Sequence, residues 1–206
     1  MTAYIEGQVG GNHYNKYQAR NPIARKLMNG FLTAFDDLVA RSGCRSFYEI
    51  GCGEGELSFR IANQGFHVSG SDISSDCVKK TEEKFRNTPH HNKFNTKNIF
   101  DLHHSDTIGA EAIIICEVFE HLNDPHTALE KISSLEVPGL IASVPREPIW
   151  CSLNMARGKY LSRWGNTPGH VQHWTKSGFL QFISQKYYIE AIRTPLPWTM
   201  VLGKRK

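Results

Sequence analysis

Residues 46–56, Ser-Phe-Tyr-Glu-Ile-Gly-Cys-Gly-Glu-Gly-Glu, decide how this chain reads. Ser46–Ile50 is a short apolar run, which predicts a buried strand. Gly51, Cys52, Gly53, Glu54 and Gly55 follow, and Glu56–Gln64 reads as a helix ending at Gly65. A glycine loop between a strand and a helix lets the backbone turn tightly and lets a ligand approach it closely. The next strand, His67–Ser71, ends at Asp72, about twenty residues on, where an acid can accept hydrogen bonds from ribose hydroxyls. This much fits any nucleoside-containing cofactor.

The charges narrow the choice. A dinucleotide seats its pyrophosphate at a helix N-terminus, where free N–H groups and the helix dipole favour anions. This loop carries Glu49, Glu54 and Glu56, with Arg60 as the nearby cation in sequence, and its spacing is GxGxG, not GxGxxG. S-adenosylmethionine has no phosphate and carries a sulfonium and an ammonium, which Glu49 can favour by direct or water-bridged contact. Glu54 and Glu56 can equally serve the first helical turn, the reading preferred for Glu56.

Outward from the loop, strands and helices alternate. Asn21-Pro22 reads as an N-cap followed by proline at the first helical position. Leu27, Met28, Phe31, Leu32, Phe35, Leu38 and Val39 then fall on one face of a helix ending at Ser42-Gly43. Ser75–Arg86 predicts a helix, Lys93–Ile99 a strand, Ala112–Cys116 a fully buried strand, Pro125–Ser134 a helix capped by Asp124, and Gly139–Val144 a fifth strand. Lys176–Lys186 is a helix, and Tyr187–Ile192 and Trp198–Leu202 read as an antiparallel pair joined by a proline-containing turn. Such alternation implies an α/β fold, a parallel sheet with helices on both faces.

The motifs YEIGCGEGELS, VSGSDIS, AIIICEVFEHLNDP and the strand end ASVP together resemble the class I S-adenosylmethionine-dependent methyltransferases. The resemblance spans 46–144. Within that class, CEVFEHL looks like the type 11/12 and ubiquinone O-methyltransferase-like small-molecule enzymes. It lacks the Asp/Asn-Pro-Pro-aromatic motif of many nucleic-acid enzymes, so a nucleic-acid acceptor is not the favoured reading. The resemblance implies a Rossmann-like, doubly wound, seven-stranded sheet in three α/β/α layers, mostly parallel with the antiparallel C-terminal pair. It also implies that the loop cradles the methionyl part through Glu49, Gly51, Cys52 and Gly53. Asp72 would then bind the ribose with Ile73 beside the adenine. Asn98, followed by Ile99, would offer a polar group to the adenine amine, with Asp101 as the competing position. Cys116 and Glu117 would end the fourth strand beside the cofactor. In many relatives an N-terminal segment closes over the cofactor; here Tyr17 and Lys16 are the candidates, unless the arm's tyrosines simply pack it onto the core.

The chain has 206 residues, 40% hydrophobic and 21% charged. That is room for one domain. It divides into an arm and helix at 1–42, a cofactor core at 46–144, an acceptor-lid insertion at 145–175 and a C-terminal helix and strand pair at 176–206. Arg146, Trp150, Arg157, Tyr160, Arg163, Trp164 and Trp174 are candidate acceptor contacts. From Arg146 to Trp174 four cations face Glu147 alone, a large share of the chain's +4. The lid therefore suits an acceptor with an anionic group, against the alternative of an ordinary solvated insertion. His121, His170 and His173 are candidate general bases, since imidazole titrates near neutrality; His121 can instead fix the turn before Asp124. His170 and His173 stand three residues apart and His121 can join them, but no acidic or thiolate partner is evident in sequence, so no metal is expected.

Five cysteines without a CxxC pair argue against a disulfide framework or a thiolate zinc site. With no leader pattern at the N-terminus and no membrane-length apolar run, a reduced, cytoplasmic protein is expected. The remaining alternatives are an RNA or DNA methyltransferase, a nicotinamide oxidoreductase, or a non-catalytic S-adenosylmethionine-binding module. The sequence does not define an oligomeric state.

Overall fold

The computed structural model describes residues 21–90 and 93–206, together with the backbone of two N-terminal segments, β1 (Tyr4–Ile5) and β2 (Gln8–Val9), which pair antiparallel. Lys16 and Tyr17 lie outside the described residues, as does His91.

Helix α1 (Pro22–Ser42) starts and stops for local reasons. The Asn21 side chain accepts from the Ile23 and Ala24 N–H groups, Pro22 needs no N–H partner, and Gly43 at φ 66° terminates the last turn. Its buried face, Met28, Phe31, Phe35, Leu38 and Val39, lies against one side of the sheet. The alternating unit then runs β3 (Ser46–Ile50), α2 (Glu56–Asn63), β4 (His67–Asp72), α3 (Ser75–Phe85), β5 (Phe94–Thr96), β6 (Ala112–Cys116), α4 (Pro125–Ser134) and β7 (Gly139–Pro145). Helix α5 (Ile149–Ala156), helix α6 (Lys176–Ile183), β8 (Tyr187–Arg193) and β9 (Trp198–Arg205) complete it.

The seven-stranded sheet has the order β5-β4-β3-β6-β7-β9-β8. All pairs from β5 to β7 are parallel, while β9 is antiparallel to both its neighbours. Residues 112–116 are buried throughout, as a central parallel strand requires. One apolar cluster under α1, α2 and α3 and a second under α4 and α6 cover the two faces. This is the Rossmann-like, three-layer, doubly wound fold that the alternation and the resemblance imply. The strand order reverses between β3 and β6, the place where such sheets bind ligands. No helix among the described residues is long and apolar enough to cross a membrane.

Two elements differ from expectation. β5 covers only Phe94–Thr96, because the Asn98 side chain accepts from the Phe100 N–H and starts a short 3-10 turn at Ile99–Asp101. The 145–175 stretch, which as a whole carries no long period and is expected as an irregular insertion, contains α5, whose Trp150, Leu153, Asn154 and Arg157 stand at i, i+3, i+4 and i+7.

β3 and β4 lie so close that a Cβ at Gly70 would meet the Glu49 carbonyl oxygen at 2.5 Å. Gly70→Ala is expected to cost about 1–3 kcal/mol through overpacking, read as a lowered urea midpoint at unchanged slope.

Candidate functional site

The glycine loop is held in place by the strand beside it. Gly51 and Cys52 donate their N–H groups to the Ser71 carbonyl at 2.8 and 3.0 Å. The Gly53 N–H donates to Asp72 Oδ2 at 2.8 Å, and Asp72 Oδ1 accepts from the Ser74 N–H at 2.8 Å. Thr81 Oγ1 donates to the Gly53 carbonyl. Gly51 has φ 73° and a Cβ there would strike Val118 Cγ2 at 2.5 Å, so only glycine suits that position. A Cβ at Gly53 would meet nothing within 4 Å, so the space in front of it is open.

That space is a cavity of about 850 Å³ at the carboxyl ends of β3, β4 and β6. Its floor is Glu49, Gly51, Cys52, Gly53, Asp72, Ile73, Ile99, Cys116 and Glu117. One wall is the first turns of α1, with Leu27 and Met28. Another is α5 and the segment after it, with Trp150, Leu153, Arg157, Lys159, Tyr160 and His170. Glu120 and His121 close one end, and Trp198 lies along the β9 side.

The loop acids do not behave alike. Lys80 pairs with Glu54 at 2.7 Å and Lys84 with Glu56 at 2.8 Å, two cations that α3 brings in and that proximity in sequence did not reveal. Arg60 turns away to Asp36. Glu49 is different: it is 3% exposed, its carboxylate accepts from the Ser58 hydroxyl, and burial pushes its pKa up to about 8. Burial likewise raises Asp72, opposed by its two backbone donors. The argument against a pyrophosphate therefore shifts from loop charge to loop hydrogen bonding. The N–H groups of Gly51, Cys52 and Gly53 already have protein acceptors, and Glu49 and Asp72 face the same space. An S-adenosyl group fits, since it needs acceptors and counter-charge there rather than a nest of donors.

The polar end is assembled from two segments. Val171 and Gln172 donate their N–H groups to the Glu120 carbonyl, at 2.8 and 3.0 Å, and Gln172 Nε2 donates to the Leu122 carbonyl. His121 Nδ1 lies 2.8 Å from the Gly169 carbonyl, so Nδ1 carries the proton. His170 is 9% exposed, stacks on Trp150 and meets His121 edge-on at 4.9 Å. Glu117 has φ 60°, and its carboxylate accepts from Trp198 Nε1 at 2.7 Å and from Ser143 Oγ.

Several sequence expectations need correction. Asn98 and Asp101 do not line the cavity; Asn98 is spent capping its turn, and Lys97 and Ile99 reach the site instead. Trp174 is half-buried and packs against Phe179 and Phe182 at 5.8 and 4.7 Å, outside the cavity. The Arg146 backbone is tied to the Pro197 carbonyl and bridges to Trp174, and its side chain does not line the cavity. Arg163 is exposed and Trp164 is 82% exposed, both facing away from it. His173 lies 3.7 Å from Glu147, outside the cavity, so it does not join His121 and His170. Sequence reasoning missed Leu27, Met28, Leu153, Glu120 and Trp198. The α5 periodicity signalled Leu153. Trp198 carries no local signal, because only strand order places it.

Residues 48–139 match the family model of a methyltransferase domain. An uncharacterized methyltransferase of Mycobacterium tuberculosis is 23% identical over 168 residues, covering 80% of this chain and 76% of that protein. A ubiquinone biosynthesis O-methyltransferase of Xanthomonas campestris is 26% identical over 128 residues, covering 61% of this chain and 53% of that protein. Magnesium protoporphyrin IX methyltransferase from Synechocystis, solved with bound S-adenosylhomocysteine, superposes with a TM-score of 0.69 at 19% identity, covering 93% and 91% of the two chains. That last likeness establishes the fold. Taken together, the matched domain and these likenesses support a class I S-adenosylmethionine-dependent methyltransferase.

Two consequences follow for stability. In Asp72→Asn the amide can accept only one of the two backbone N–H groups and sets a donor against the other. The cost expected is about 1–3 kcal/mol, with faster hydrogen exchange at Gly53. For Glu49, the folded chain holds its proton up to about pH 8 whereas an unfolded glutamate loses it near its ordinary value of 4.5. Stability of the unliganded chain therefore falls as pH rises from 4.5 to 8. Glu49→Gln should flatten that part of the thermal-stability profile. An equally steep profile in the variant would show that Glu49 is not the responsible group.

Proposed function

We propose that this methyltransferase acts on a small-molecule acceptor held between the glycine loop and the Glu120–His121–His170 end of the cavity. The observation that carries this reading is the cavity itself: about 850 Å³, within the range of small-ligand sites, walled by α1, α5 and 157–170 and apolar along Leu27, Met28, Trp150 and Leu153. The relatives named above for ubiquinone biosynthesis and magnesium protoporphyrin IX point the same way. The part of residues 145–175 that reaches the cavity serves as acceptor wall. Arg157 and Lys159 are the cations on that wall and favour an acceptor with an anionic group. The five free cysteines suit a reducing compartment such as the cytoplasm.

On this reading Asp72 accepts from the ribose hydroxyls, Ile73 and Ile99 flank the base, and Glu49 faces the positive methionyl end. When bound, S-adenosylmethionine supplies an electrophilic methyl group on a cationic sulfur. The chain's task is alignment and exclusion of water, which can contribute up to about 7–11 kcal/mol. A hydroxyl acceptor must also lose a proton. His121, with Nδ1–H fixed on the Gly169 carbonyl, keeps an Nε2 lone pair for that end of the cavity, and His170 stands beside it.

The test is S-adenosylhomocysteine release across a panel of small hydroxylated and carboxylated compounds, and across RNA and DNA oligonucleotides. Saturable turnover with a small compound is expected, and Arg157→Glu should raise its KM about tenfold or more with kcat less affected. Turnover confined to oligonucleotides, collapsing steeply with salt, would overturn the small-molecule reading. With a hydroxyl acceptor, His121→Ala and His170→Ala should lower kcat by about 10²-fold or more. Full turnover in both would remove the imidazoles from the chemistry.

A further inference from the structure

The geometry points to a divalent metal site at Glu120, His121 and His170, on which the acceptor's oxygen would be held. This deepens the small-molecule reading and rests on it for the metal's role in transfer, though not for the binding of the metal.

One ligand atom from each of the three residues lies within 4.8 Å of the others. Two imidazoles and a carboxylate, with an open cavity beyond, form the donor set of a catalytic metal site with exchangeable positions, and suit zinc, manganese, iron or cobalt better than magnesium. In a tetrahedral site with bonds near 2.1 Å the ligand atoms stand roughly 3.4 Å apart, so closure requires them to draw in by about an ångström.

Three features of the surroundings serve ligation. The Gly169 carbonyl holds a proton on His121 Nδ1, so Nε2 is the nitrogen available to a metal, the outer-sphere arrangement that orients metal-bound histidines. The His170 ring is held against Trp150, whose Nε1–H donates to Thr167 Oγ1 at 2.9 Å. Residues 120 and 170 come from distant segments that are joined backbone to backbone through the Glu120 carbonyl, so the ligands are preorganised rather than brought together by a mobile loop.

A cation there would bind the acceptor oxygen and lower its pKa, replacing general-base work by His121 and His170, whose ligating nitrogens keep no lone pair for a proton. The O–H proton then leaves to solvent, the oxygen lone pair forms the O–C bond, the C–S bond breaks, and sulfur keeps that pair and becomes neutral. A second donor trio, Glu147, Cys151 and His173, lies outside the cavity and serves as the control.

The chain is freed of metal with a chelator and titrated with cobalt(II), following visible d–d absorption and calorimetric stoichiometry. One equivalent is expected. Glu120→Gln and His170→Ala should each weaken it at least about tenfold, and Cys151→Ser should leave it unchanged. If His170→Ala does not fold, manganese(II) added to the wild-type chain should broaden the His121 and His170 imidazole resonances selectively. Absence of saturable cobalt uptake overturns the inference, as does uptake lost in Cys151→Ser but retained in Glu120→Gln. A metal-free chain that binds S-adenosylmethionine but no cobalt overturns the metal site and leaves the acceptor reading intact. Cobalt bound as expected, with no small acceptor turned over, supports the site and overturns that reading.

Discussion

The site depends on one carboxylate. Asp72 ends β4 and accepts from Gly53 on one side and Ser74 on the other, joining the glycine loop to the turn that opens α3. The Ser71 carbonyl takes the two preceding N–H groups. The loop is thereby set against the β4 edge, with Gly51 pressed on Val118 and Gly53 open to the cavity. The clamp also decides what the loop can bind. The N–H groups of Gly51, Cys52 and Gly53 are consumed inside the protein, so this stretch offers a ligand shape and carboxylates. This inverts the usual phosphate-binding glycine turn while keeping its backbone path.

Charge is arranged to match. Lysines on α3 balance Glu54 and Glu56, while Glu49 stays buried beside the cavity with no lysine or arginine among the described residues at salt-bridge distance. A buried carboxyl that holds its proton near neutrality is latent charge. It costs the unliganded fold little at neutral pH, and on the proposed function it would become an anion when the cofactor's cation arrives next to it. The modest net charge of the chain thus hides a loop whose field depends on occupancy.

Much of this was legible in the sequence because it is local. Asn21-Pro22 starts a helix wherever it occurs before a periodic face, AIIIC can only be a buried strand or a short core segment, and the acid ending the second strand of the alternating unit, Asp72, lies against the glycine loop. What was illegible is what the fold brings together. The lysines that neutralise Glu54 and Glu56 lie 26 and 28 residues downstream. Trp198 reaches the cavity because β9 inserts between β7 and β8. His121 meets His170 rather than His173 because the Glu120 carbonyl pairs with the backbone at 171 and 172. Asn98 was misread for the opposite reason: its own cap competes with any ligand for the side chain. Helix α5 was not expected, because 145–175 carries no long period and the helix lasts only two turns.

The central claim is that Glu49 changes from neutral to charged as the cofactor's positive end binds. Calorimetric titration with S-adenosylmethionine at pH 7, in two buffers of different ionisation enthalpy, measures it directly. The account predicts that binding releases close to one proton, that release disappears in Glu49→Gln together with much of the affinity, and that NAD gives no saturable heat. Binding with no proton released, or release that persists undiminished in Glu49→Gln, would contradict it.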